Sequence, residues 1–169
     1  SGVITVPDSI QVDEHIYTIT ELGGEAFRGC DITSITLGNE VTTIGAGCFF
    51  GCRILKTMKW GEKLDSIGDE AFYDCGASLD TITSLCTTPP ALGESVFAKG
   101  ISDETYLLVP SEAVATYKQA DLWREFDVWA IGTNIPSPFS AVNEQDKTIY
   151  YRPTSLNTCT VTYNPVEED

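Results

Sequence analysis

Basic side chains are scarce in this 169-residue chain: ten lysines and arginines stand against 25 aspartates and glutamates, a formal net charge of −15. Such a balance repels phosphate backbones and anionic lipid surfaces, so nucleic acid is excluded as a partner. Histidine is scarcer still. Any Ser-His-Asp or Cys-His mechanism would have to run through His15 alone. That residue lies in QVDEHIYTI, where Asp13-Glu14 reads as a turn between two short strands, an exposed place with no cleft. There is no Gly-rich phosphate loop, no Walker lysine and no calcium loop of alternating Asp and Asn. No run approaches the roughly 18 apolar residues of a membrane span, and the start SGVITVPDSI lacks a basic segment followed by an apolar one.

Six cysteines are too few for a disulfide-dense miniature scaffold, and none of them forms a CxxC pair. Cys48 and Cys52 are four apart, yet only His15 could join them as a nitrogen ligand, so a zinc site lacks its second half. The carboxylate pairs Asp69-Glu70 and Asp103-Glu104 are neighbours in polar turns, whereas a glycosidase needs two carboxylates facing one sugar from opposite sides. No cofactor, no metal and no catalytic set is expected.

What the chain does have is a repeat. With 42% hydrophobic residues it is long enough for one compact domain, or one domain plus an appendage. ITELGGEAFRGC (19 to 30), TTIGAGCFFGC (42 to 52) and DSIGDEAFYDC (65 to 75) share an aliphatic residue, a glycine, a small residue, a phenylalanine and a cysteine. Phe27, Phe49, Phe72 and Phe97 step by 22, 23 and 25, and Cys30, Cys52 and Cys75 by 22 and 23. A fixed period of this length signals stacked coils.

Between the blocks, DITSITLGNEV, RILKTMKWGEKL and ASLDTITSL each read as a short strand. Alternation turns Ile35 with Leu37, Met58 with Trp60, and Ile82 with Ser84 inward. It leaves Ser34, Thr36, Thr57, Lys59, Thr81 and Thr83 outward. One coil cannot bury its own apolar row, so neighbouring coils must stack in parallel. The phenylalanine and cysteine columns then read as core, with Cys86 beside them. Parallel coils about 4.8 Å apart hold equivalent side chains too far apart for a Cβ separation near 3.8 Å, so Cys30, Cys52 and Cys75 are expected to be free thiols.

These residues resemble the BspA-like (Treponema-type) leucine-rich repeats of surface and secreted proteins of gut and oral bacteria. The family unit looks like LxxIxIPxxVxxIGxxAFxxC, and the chain supplies Ile32 to Leu37, Val41, Ile44-Gly45, Phe49 and Cys52, with Cys48 departing at the usual alanine. The resemblance covers residues 3 to 131. It implies a β-rich α+β solenoid, a leucine-rich-repeat right-handed superhelix with a C-terminal helical cap at 105 to 131, little regular helix before residue 110, and a place in the secreted fraction or on the outer cell surface. Within the cap, Ser111 is expected to start a helix whose stripe takes in Val114, Tyr117, Lys118, Trp123 and Phe126. Trp123 and Trp129 are expected to cover the end coil rather than form a carbohydrate platform.

Residues 132 to 169 fall outside the repeat. Pro136 and Pro138 mark a linker, and TIYYRPTSLNTCTVTY (148 to 163) reads as a hairpin whose loop centres on Arg152 to Thr158. This part is either a small β appendage or the start of a further domain.

A solenoid presents an extended face, so the expected role is a non-catalytic binding module for an extracellular protein or glycan, with a spacer or stalk as the alternative and an accessory domain of a hydrolase as a distant third. The expected surface is Ser34, Thr36, Thr57, Lys59, Thr81 and Thr83. Arg53, Lys56, Lys59 and Lys63 gather four of the ten basic residues near it. Lys56 and Asp80 flank the patch with their side undecided. A monomer is expected.

Overall fold

The computed structural model describes residues 2–75, 79–98 and 105–133, and the backbone of strands at 139–142, 148–155 and 158–162. Two compact units are present, Ser1–Ile131 and Gly132–Asp169.

The first unit begins with β1 (Gly2–Thr5), β2 (Ser9–Val12), β3 (His15–Thr18), β4 (Glu21–Leu22), β5 (Ile32–Thr36) and β6 (Thr43–Ile44). It continues with β7 (Thr57–Trp60), β8 (Ser66–Ile67), β9 (Thr81–Ser84), β10 (Ala91–Leu92), β11 (Tyr106–Val109), a short helix α1 (Val114–Tyr117) and β12 (Asp127–Ala130). Long and short strands alternate because each coil carries two apolar stretches separated by turns. The long ones pair in parallel in the order β1-β5-β7-β9-β11-β12, the short ones in the order β10-β8-β6-β4. This unit is thus a parallel-sheet β-solenoid of about four turns. Only β2 and β3 depart, forming an antiparallel hairpin turned at Asp13-Glu14, as the sequence predicts, with Ile10, Val12, Ile16 and Tyr17 exposed.

Ile35, Leu37, Met58, Trp60, Ile82 and Ser84 all lie in the interior. The phenylalanine column forms a stack through the coils: centroids are 5.3 Å apart from Phe27 to Phe49, 5.1 Å from Phe49 to Phe72 and 5.4 Å from Phe72 to Phe97, with rings within 9° of parallel. Offset stacking adds to area burial, and here the repeat spacing imposes it. The described thiols are free, as expected for Cys30, Cys52 and Cys75, and two of that column bridge coils. Cys52 Sγ donates to the carbonyl of Phe27 at 3.0 Å and Cys75 Sγ to that of Phe49 at 3.1 Å, so each thiol ties its coil to the one before. Cys30, the first of the column, is only half-buried.

Close apposition explains the glycine after three of the four short strands, β6, β8 and β10. A Cβ on Gly45 would meet the Gly24 nitrogen at 2.5 Å, and one on Gly68 the Ala46 nitrogen at 2.6 Å. Gly23, in the first of these coils, would meet nothing within 4 Å. The turn that follows also repeats its backbone. Glu25, Gly47, Glu70 and Ser95 occupy equivalent places two residues before the phenylalanine, and all have φ between 53° and 61°. Only at Gly47 is this left-handed conformation free of Cβ strain.

The cap differs from expectation in its helix. Regular helix is limited to Val114–Tyr117, preceded by a 3-10 turn at Ser111–Ala113 and followed by another at Trp123–Glu125. Pro110 occupies the N-cap position, and the Ser111 hydroxyl bonds to the Glu112 carboxylate instead of capping. Leu122, at φ 65°, breaks the path. The apolar stripe is therefore assembled by tertiary packing of two short turns. Trp123 still closes the core as predicted, its Nε1 donating to the Pro90 carbonyl at 3.0 Å. Trp129 does not join it. It pairs with Leu108 across β12 and β11, in the row that faces away from the core residues Leu107 and Val128. Its side chain is 9% exposed, and its Nε1 has no partner among the described residues.

The second unit contains an antiparallel sheet of β13 (Phe139–Val142), β14 (Thr148–Ser155) and β15 (Thr158–Thr162), in that order. The hairpin exists, but Arg152 and Pro153 pair with Thr160 and Cys159 within the ladder, so the predicted loop is too long; β13 carries no signal that the sequence reading used. Asp103, Glu104, Pro136, Pro138 and residues 167–169 lie outside the described residues.

Candidate functional site

Parallel pairing aligns the outward residues of the six-stranded sheet into two rows. One runs Val3, Ser34, Thr57, Thr81, Tyr106 and Asp127; the other runs Thr5, Thr36, Lys59, Thr83, Leu108 and Trp129. The six residues singled out from the sequence share this face. Ser34 and Thr57 are bonded to each other, hydroxyl to hydroxyl at 2.7 Å. The rows extend two strands beyond the three-coil patch read from the sequence and one strand before it. Those extensions were missed because Thr5 and Leu108 sit in segments whose repeat pattern is weaker.

The basic cluster divides. Arg53 reaches Asp74 at 2.9 Å and Lys63 reaches Glu40 at 2.7 Å, each joining neighbouring coils. Lys56 and Lys59 form no ion pair among the described residues. Lys56 and Asp80 precede β7 and β9 and are exposed. Lys59 is therefore the cation left on the second row.

A hollow of about 340 Å³ opens beside it, at the carboxyl ends of β1, β5 and β7. Thr5, Asp8, Thr36, Asn39 and Lys59 contribute polar side chains to its lining, and Leu37 and Leu85 apolar ones. Asp8 and Asn39 follow their strands at equivalent places, and Asp8 Oδ1 accepts from the Asn39 backbone nitrogen. Asp69 does the same for the Glu94 nitrogen at 2.8 Å one column away. The Asp8–Asn39 contact is thus a coil-to-coil bridge that happens to place a second carboxylate oxygen at the hollow. Gly38 and Gly61 keep this corner tight, because a Cβ on either would press on Asp8 or Asn39. Sequence reading missed Asp8 and Asn39; the signal was their common position just past the strands.

Chemistry elsewhere is muted. Burial pushes the Cys48 and Cys75 thiols up to about 12 and raises those of Cys52 and Cys86. Burial also raises the Tyr117 hydroxyl, partly opposed by its hydrogen bond with Ser84. That serine sits at the centre of a buried polar group: Trp60 Nε1 donates to its Oγ at 2.8 Å, the Tyr117 hydroxyl lies 2.8 Å away, and the Cys86 backbone nitrogen donates at 3.2 Å. These groups satisfy one another inside the core. His15 is exposed on the hairpin. Among the described residues no His, Cys, Asp or Glu trio could hold a metal ion, and no helix is long and apolar enough to cross a membrane.

The model of the BspA type leucine-rich repeat region matches residues 9–110 in six copies. The chain belongs to the BspA-type leucine-rich repeat family. Among solved structures, this BspA-type chain is similar to a leucine-rich repeat protein from Bacteroides capillosus, at 27% identity and a TM-score of 0.52, over 62% of this chain and 75% of that one. A leucine-rich cell surface protein from Faecalibacterium prausnitzii matches at 16% identity and a TM-score of 0.38, over 86% of this chain and 52% of that one. No curated protein matches significantly. The matched repeats span the strands from β2 to β11, and the periodic stacking of those coils is what aligns the central part of the outward rows.

Proposed function

We propose that this BspA-type chain is a non-catalytic binding module that works outside the cell and presents the outward face of its six-stranded sheet to a protein or glycan. The observation that carries the reading is the pair of aligned outward rows, rich in hydroxyls and interrupted by Lys59, a cation with no ion-pair partner among the described residues. Ordered side chains at fixed spacing on a rigid sheet offer a pre-organised surface, which lowers the entropic cost of association. The family's surface and secreted members support the location.

The test is a glycan array and a pull-down from extracellular extracts, repeated with Lys59→Glu. Charge reversal is expected to weaken a recovered partner at least about tenfold, and binding is expected to fall with salt as exposed charges are screened. Unchanged binding by Lys59→Glu, with loss on substituting Glu62 or Asp65 outside the rows, would move the site off this face. Recovery of no partner from either source would favour a spacer.

A further inference from the structure

We propose that the hollow at the carboxyl ends of β1, β5 and β7 is a subsite for one acidic sugar residue, its carboxylate held by Lys59. The inference rests on the outward face being the binding surface and names the ligand class of one part of it.

Four polar groups line the hollow without a hydrogen-bond partner among the described residues: the hydroxyls of Thr5 and Thr36, the side-chain amide of Asn39 and the ammonium of Lys59. Asp8 adds a fifth, because its Oδ1 is committed to the Asn39 backbone and its Oδ2 is not. The Asp8 carboxylate can accept from one hydroxyl while the neighbouring Asn39 amide donates to the next, which is the pairing that adjacent hydroxyls of a sugar ring require. Lys59 supplies what a neutral sugar would leave unused, a cation for a carboxylate, and charge-assisted bonds are the stronger ones.

Two further observations narrow the class. At about 340 Å³ the hollow lies near the lower end of small-ligand sites, which suits one or two sugar rings and not a folded partner. The chain's net charge of −15 opposes a polyanion, so a ligand with one carboxylate on a neutral polyol is favoured over an acidic peptide run. The apolar lining, Leu37 and Leu85 beside a buried Trp60, is too small for a lipid tail.

The experiment is an NMR titration of the whole 169-residue chain with methyl β-D-glucuronide, methyl β-D-glucoside and N-acetylglutamate. The glucuronide is expected to bind about tenfold more tightly than the glucoside, an advantage that Lys59→Gln abolishes and Lys59→Arg retains. Shifted resonances are expected at Thr5, Asp8, Thr36 and Asn39. Lys118→Gln, on the exposed cap, should change nothing, and melting curves establish that each variant is folded. Equal binding of the two glycosides, or an advantage that survives Lys59→Gln, overturns the proposal. Tighter binding of N-acetylglutamate than of the glucuronide also overturns it and makes the hollow a peptide-carboxylate site. A partner that is lost with Lys59→Glu while no glycoside binds would remove the sugar assignment and leave the strand-face reading standing.

Discussion

The ring of Trp123 stands edge-on to that of Phe97, with centroids 5.7 Å apart and planes 68° apart. Phe97 is the last member of the parallel stack that begins at Phe27, and Phe126 meets it edge-on as well, at 83°. A parallel ring would invite another coil, whereas a perpendicular one shields the face. Tyr117 and Trp60 also pack edge-on against Trp123, so one indole closes the core from several sides.

Trp123→Ala should accordingly cost about 3 to 5 kcal/mol, as for other large core truncations. The bared coil end should promote association, visible as earlier elution in size-exclusion chromatography. An unchanged melting temperature with monomeric elution would show that the cap is held by other groups.

The glycines after the short strands offer an internal control. Gly68→Ala forces a Cβ to 2.6 Å from the Ala46 nitrogen and 2.9 Å from its Cα, and overpacking against backbone should cost about 1 to 3 kcal/mol or more. Gly23→Ala meets open space and should stay within about 0.5 kcal/mol of the parent. Urea denaturation of the two variants measures the difference, and equal effects would mean that coil apposition does not select glycine here.

Ser84→Ala removes the oxygen that accepts from Trp60 Nε1 and bonds the Tyr117 hydroxyl. Leaving buried polar groups unsatisfied should cost about 1 to 3 kcal/mol. Tyr117 also lies 3.4 Å from the Cys86 carbonyl, which limits the loss on that side. Ser34→Ala, on the outward face, should change stability by under about 0.5 kcal/mol. A Ser84 effect as small as that of Ser34 would show that the buried group contributes no net stability.

Stability should fall in alkali. The ordinary thiol value of 9.0 is raised to about 12 at Cys48 and Cys75 because burial disfavours the thiolate. Below pH 9 the folded and unfolded chains both keep these protons and the full stability is present. Above it the unfolded chain releases protons that the folded chain retains, so unfolding gains ground until the pH reaches about 12. Cys48→Ala, which restores the residue found at Ala26 and Ala71, should flatten that decline in denaturation curves taken between pH 8 and 11. In the native state at pH 8, a thiol reagent should label half-buried Cys30 before buried Cys52 and Cys75; fast, equal labelling of all three would contradict the packing.

The coil architecture was legible in one chain because a solenoid writes its contacts into the period. Phe49 touches Phe27 and Phe72 for the same reason that the three occupy one column, and alternation within each strand decides which side Lys59 faces. Local pattern and tertiary contact carry the same information there. They part company where the period ends. Trp123 and Phe126 look like a helical stripe, but a left-handed Leu122 and the rings of Phe97 and Trp60 hold them in short turns instead. Trp129 reads like Trp123 in the sequence and lies in the outward row, because only pairing with Leu108 fixes its side. The hollow beside Lys59 was the least visible feature, since Asp8 and Asn39 are separated by an inserted hairpin that shifts the period, and only the stacking of β1 on β5 brings them together. Sequence determined the columns; the folded chain decided what stands at their ends, where no repeat dictates a neighbour.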